Sequence, residues 1–113
     1  MSWYVYVVHF VAGLFLANAV PHFVNGISGE RFQSPFASPP GVGESSPLVN
    51  VLWGTANLVI GYVLLFGVGE FAGGLSTDAL VVALGLLAAA VGLARHFGRV
   101  RQAGEGRLAG RKG

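Results

Sequence analysis

The chain has 113 residues, of which 53% are hydrophobic and only 11% charged, with a formal net charge of +2. A soluble domain carries roughly 25% charged residues, and so short a chain has too much surface for its volume to hide this much apolar side chain. An ordinary soluble domain is therefore excluded, and the absence of Cys excludes disulfides, thiol catalysis and Cys-ligated zinc or iron–sulfur clusters.

No Asp, Glu, Lys or Arg occurs before Glu30. Residues Trp3 to about Val24 make a first span of about 22 residues, ~33 Å as a helix, enough to cross a ~30 Å hydrocarbon core. Trp3, Tyr4 and Tyr6 stand at its start as an aromatic belt does. Pro21 removes one backbone donor and predicts a kink or an early helix end. Ala17-Asn18-Ala19 fits a small-x-small signal cleavage site. No basic residue precedes the apolar run, so the span is expected to be retained.

Residues 25–47 contain Pro35, Pro39, Pro40 and Pro47, several Gly and Ser, and the charges Glu30, Arg31 and Glu44. The prolines forbid a continuous helix. Connections of this length tend to be functional or disordered, and this one is expected to be an ordered interfacial segment. Leu48 to Val68 is a second uncharged span. Ser76, Thr77 and Asp78 then supply a cap and an acidic first turn for a third helix over residues 78–97. Residues 98–113, rich in Gly and Arg, are expected to form a disordered basic tail.

Arg95, Arg99, Arg101, Arg107, Arg111 and Lys112 crowd the last part of the chain, and Arg31 lies in the connecting segment. The positive-inside rule puts all seven on the cytoplasmic side, with the N-terminus outside. The expected fold is thus all-α: an integral membrane bundle of three transmembrane helices in the bacterial inner membrane, with a Pro/Gly-rich connection between the first two. The lipid bilayer is its first partner. No aromatic residue follows Phe97, so the tail offers no base-stacking platform and no nucleic-acid partner is expected.

Asn50, Trp53, Gly54, Asn57 and Gly61 share one face of the second span, and Asn18 and His22 share a face of the first. His96 lies at the same level. Asn18, His22, Asn50, Trp53, Asn57 and His96 are therefore expected to form a cytoplasm-facing polar pocket, with Glu30, Arg31, Phe32 and Phe36 in a lid above it. The competing reading is that these amides bond neighbouring helices for roughly 0.6–2 kcal/mol each. His9 stands apart in the outer half, where it is expected to face headgroups or a neighbouring helix. Gly85, Ala88, Ala89 and Gly92, with Gly54 and Gly61, form small-residue stripes for close helix packing, within the bundle or in a dimer.

No phosphate loop, catalytic carboxylate pair or nucleophile elbow occurs, and neither a catalytic residue nor a metal ligand set is expected. Glu30 with His22 is weighed as an acid–base couple at the lid. A His22/His96 pair is weighed as a haem site, but no cofactor is expected, because no clear bed of glycines supports the ring. The leading expectation is a non-enzymatic accessory subunit or homo-oligomeric scaffold in a larger membrane complex. A transporter or channel-like module is the alternative, and a haem-binding or redox protein the third reading.

The runs Pro21-His22-Phe23, Asn25-Gly26, Gly29-Glu30-Arg31-Phe32, Ser34-Pro35-Phe36-Ala37 and Ser45-Ser46-Pro47, with Asn50, Trp53-Gly54 and Asn57, resemble a group of small bacterial inner-membrane proteins. The resemblance covers about residues 17–62 and implies no activity. A His-Phe pair near the end of the first helix is also distantly similar to four-helix DoxX-type membrane proteins.

Overall fold

The structure, a computed structural model, describes the backbone of residues 1–112 and the side chains of residues 1–106. The elements run α1 (Trp3–Ile27), β1 (Phe32–Gln33), β2 (Glu44–Ser45), α2 (Pro47–Gly67) and α3 (Thr77–Lys112). All three helices are long and apolar enough to cross a membrane.

Local chemistry sets the helix ends. Ser46 caps α2 by accepting a hydrogen bond from the Val49 N–H at 3.2 Å, and Pro47 occupies the first turn, where its missing N–H costs nothing. Ser76 caps α3 through the Ala79 N–H at 3.0 Å. α1 continues past Pro21 and stops six residues later, so the proline does not end it. Its terminus is a Schellman turn: the Glu30 N–H donates to the Asn25 carbonyl and the Gly29 N–H to that of Gly26. Gly29 takes φ +74°, which an L side chain resists.

α1 is the central helix. It packs on both α2 and α3, which make little contact with each other. Close approach is set by small residues. A Cβ on Gly13 would lie 2.5 Å from the Val82 carbonyl oxygen, and one on Gly85 would strike the Phe10 carbonyl, so α1 and α3 cross backbone against backbone. Across α1, Gly54 faces the Phe23 backbone and Gly26 abuts Pro47 and Val51. A Cβ on Gly92 would meet nothing within 4 Å, so of the two glycines in that stripe Gly85 is the one that sets the close α1–α3 approach. Gly85→Leu is expected to destabilise by about 3 kcal/mol, the upper end for overpacking, because the colliding atoms are backbone and cannot rotate away. Thermal unfolding in mild detergent measures this, and a Gly92→Leu control should stay near the parent.

The distribution of polarity is inverted relative to a soluble protein. Leu48, Leu52, Leu58, Val59, Tyr62, Val63 and Phe66 face outward from α2, while Asn50, Gly54, Asn57, Gly61 and Leu65 face inward. The fully buried side chains of largest volume include His9, Asn50, Asn57 and Asp78. The apolar core is small, built on Ala12, Leu65 and Val82, with Leu16, Leu64 and Phe71 against it.

Two regions differ from the sequence expectation. The connection between α1 and α2 contains a short antiparallel ladder pairing Phe32 with Ser45 and Gln33 with Glu44. The stretch 98–112, expected to be a disordered tail, continues α3 as helix. Extending an established helix avoids the cost of nucleation, and Arg, Gln, Ala and Leu offset the Gly penalty of roughly 1 kcal/mol each. Gly113 and the side chains of Arg107, Arg111 and Lys112 lie outside the described residues.

Candidate functional site

Against the 28–46 segment lies a partly open cavity of about 310 Å³ whose wall includes Asn18 and His22 from α1, Trp53 from α2, His96 and Phe97 from α3, and Gln33, Ser34, Pro35, Pro40 and Gly41 from the connection. Four of the six residues expected to form a pocket therefore share one wall: Asn18, His22, Trp53 and His96.

Asn50 is not in that wall but organises it. Its amide nitrogen lies 3.2 Å from the carbonyl oxygens of Phe32 and Ser45 and 3.0 Å from that of Ser46. Carbonyls only accept, so these contacts assign the nitrogen end of the amide. Its oxygen then faces Nδ1 of His22 at 2.8 Å. One buried side chain of α2 thus ties α1 to both strands of the connection. The His22 ring is further fixed by edge contacts with Phe32, Trp53 and Phe97 at centroid separations of 5.4, 6.4 and 6.5 Å.

Asn57 lies deeper. It accepts from the Asn18 amide at 3.0 Å and donates to the Trp53 carbonyl at 2.8 Å, so it serves as an interhelical bond and not as part of the lidded cavity. With Asn18 it borders a separate, open groove along Leu14, Phe15, Ala89, Gly92 and Leu93.

The lid is held from α3 as well. His96 Nε2 donates to the Gly41 carbonyl at 2.7 Å, and the Arg101 guanidinium stands 5.5 Å from the Phe32 ring centroid. Internally, the Ser34 and Ser45 hydroxyls bond each other at 2.5 Å, and the Gly41 N–H donates to the Ser34 carbonyl at 2.8 Å. Of the expected lid residues, Phe32 is buried and Phe36 packs edge-on to Trp53 at 5.1 Å. Glu30 and Arg31 are exposed and outside the wall. Arg31 instead donates to the Glu44 carbonyl at 3.2 Å. Glu30 makes no hydrogen bond to His22, whose Nδ1 is taken by Asn50, so the acid–base couple does not form. Gln33, Ser34 and Ser45, buried polar groups of the lid, were not singled out from sequence. Their only signal there is polarity within a Pro-rich run.

A second polar cluster occupies the opposite end and was not anticipated. His9 is fully buried, with Nδ1 2.7 Å from Asp78 Oδ1 and Nε2 2.8 Å from the Val68 carbonyl oxygen. Asp78 Oδ2 accepts from the Ala72 N–H at 3.1 Å. Of the two expected settings for His9, headgroups or a neighbouring helix, it takes the second, joining α1 to the end of α2 and the start of α3. Nε2 must carry a hydrogen, because a carbonyl only accepts. One further proton lies on the line between Nδ1 and Oδ1, so the pair is neutral overall whichever atom holds it. Between this cluster and the lidded cavity lies the apolar core of Ala12, Leu65 and Val82.

No group of three or more His, Asp or Glu side chains placed to hold a metal ion stands among the described residues. No protein-family model, curated protein or solved structure matches the chain.

Proposed function

We propose that this protein is a three-span inner-membrane protein that binds a small molecule in the lidded cavity at the cytoplasmic face, as a one-sided binding module of accessory type. Membrane insertion is supported by the outward apolar and inward polar faces of the helices. The orientation is supported by the placement of all seven Lys and Arg residues. A reporter fused after Gly113 should then read out from the cytoplasm.

The observation that carries the binding reading is the cavity itself: a small, partly open space walled by a segment that Asn50 of α2 and His96 of α3 hold by hydrogen bonds, with Asn50 in turn bonded to His22 of α1. Its volume falls at the lower end of the roughly 300–1,000 Å³ range of ligand sites. A transport pathway is disfavoured, because the two polar ends are separated by the packed apolar layer of Ala12, Leu65 and Val82.

The test is native mass spectrometry of the protein released from its own membranes in mild detergent. The parent should carry a small-molecule adduct. Pro40→Trp, a substitution at an exposed lid residue that borders the cavity, should lose it. A bare mass for both proteins would refute the proposal.

A further inference from the structure

Three observations at His22 specify what the cavity can recognise. Nδ1 meets the oxygen of the Asn50 amide and therefore carries the ring hydrogen. Nε2 has no protein partner, although the residue is only 3% exposed. No buried side-chain polar atom lacks a partner among the described residues, so Nε2 reaches the open space of the cavity that His22 lines. The cavity wall holds no carboxylate, Lys or Arg to balance a charge. In the neutral ring, with its hydrogen on Nδ1, the lone pair of Nε2 is directed into the cavity. Asn18 adds a second acceptor, since its amide nitrogen is engaged by Asn57. Pro35, Pro40, Trp53 and Phe97 supply the apolar part of the wall.

We infer, building on the binding reading above, that the occupant is an uncharged molecule bearing a hydroxyl group on a small apolar body, a phenol or an alcohol, whose O–H donates to Nε2 of His22. An ionic ligand would find no charged side chain in the wall to pair with, since Arg101 lies outside it, turned to Gln33 Oε1 at 3.5 Å and to the Phe32 ring. A ligand without a donor would leave the lone pair unmet, at the expense of a buried hydrogen bond. The hydroxyl can arrive on a molecule dissolved in water or on one dissolved in the bilayer, since the cavity lies near the helix ends.

The probes are phenol and anisole, which share a ring but differ in the O–H donor. Binding is read from Trp53 fluorescence in phosphatidylcholine nanodiscs, on a Trp3→Phe background that leaves one indole. Phenol should bind saturably, and anisole about tenfold more weakly, as loss of one buried hydrogen bond implies. His22→Asn places an amide nitrogen where Nδ1 was, so the bond to Asn50 persists while the Nε2 acceptor disappears. In that variant phenol should weaken about tenfold, to the level of anisole, with anisole itself unchanged. Should His22→Asn not fold, the phenol–anisole comparison in the parent decides alone. Competition by a long-chain alcohol doped into the disc would place the source in the bilayer, and its absence would place it in water; either result upholds the hydroxyl assignment. Equal binding of phenol and anisole, both abolished by Pro40→Trp, would overturn that assignment and leave the cavity reading standing. Failure of both probes to bind, with a natural adduct still seen by mass spectrometry, would do the same. With no adduct either, both readings fall.

Discussion

Asp78→Leu is expected to destabilise the folded protein by roughly 2–5 kcal/mol, because it orphans two hydrogen-bonding groups at about 1–3 kcal/mol each. Asp78 is 2% exposed and His9 fully enclosed, so no water takes the place of the lost carboxylate. The Nδ1 side of His9 and the Ala72 N–H both lose their partner. Three segments meet at this point, and the loss should therefore loosen the α1–α3 contact and the end of α2 together. Asp78→Asn should behave quite differently. With its amide nitrogen toward Nδ1 and its oxygen toward the Ala72 N–H, an asparagine satisfies the same atoms around a neutral His9 that keeps Nε2–H on Val68. Its cost should stay within about 1.5 kcal/mol, the net worth of a typical hydrogen bond. Thermal and denaturant unfolding in detergent micelles compare the two. Equal loss in both variants would show that the carboxylate charge, and not the hydrogen-bond geometry, holds this end.

Asn50→Leu is the second large effect. Leucine is close in size but leaves the His22 Nδ1–H and the Phe32 and Ser45 carbonyls without the amide. Each orphaned buried group costs roughly 1–3 kcal/mol, so a total loss on the order of 3 kcal/mol or more is expected. The damage should be local to the lid. Amide exchange over residues 28–46 should accelerate by two orders of magnitude or more, while the α1–α3 crossing at Gly13 and Gly85 keeps its protection. Uniform acceleration through all three helices would show instead that the lid is essential to the whole bundle.

Much of the frame was legible from sequence because helices long and apolar enough to cross a membrane announce themselves by length and apolarity. The cap at Ser76 was readable for the same local reason, whereas the cap at Ser46 emerged only in the structure. The spacing of Asn50, Gly54, Asn57 and Gly61 correctly marked the inward face of α2, since helical periodicity does not depend on the partner. What was not legible depends on how helices are set against one another. His9 and Asp78 are 69 positions apart, and nothing local tells which rotation of α1 on α3 brings them together. Asp78 also had a sufficient local explanation as a first-turn acid, which concealed its second role. The division of labour among the amides was equally hidden: Asn50, Asn57 and Asn18 look alike in sequence. Only the backbone carbonyls around Asn50 separate a residue that anchors the lid from one that bridges two helices. Helix beyond residue 97 is not legible locally, because its glycines argue against helix while the gain from continuing an existing helix is invisible in the segment itself.

The abutment of Gly26 on Pro47 has a topological consequence. A Cβ at Gly26 would come within 2.7 Å of the Pro47 carbonyl oxygen, so α1 and α2 already meet where one ends and the other begins. A hairpin of helices needs only about 2–5 residues to turn at such a junction. Everything from Ser28 to Ser46 is thus surplus to joining the two rods: an excursion that leaves and returns to nearly the same spot, and whose dimensions answer to what it encloses.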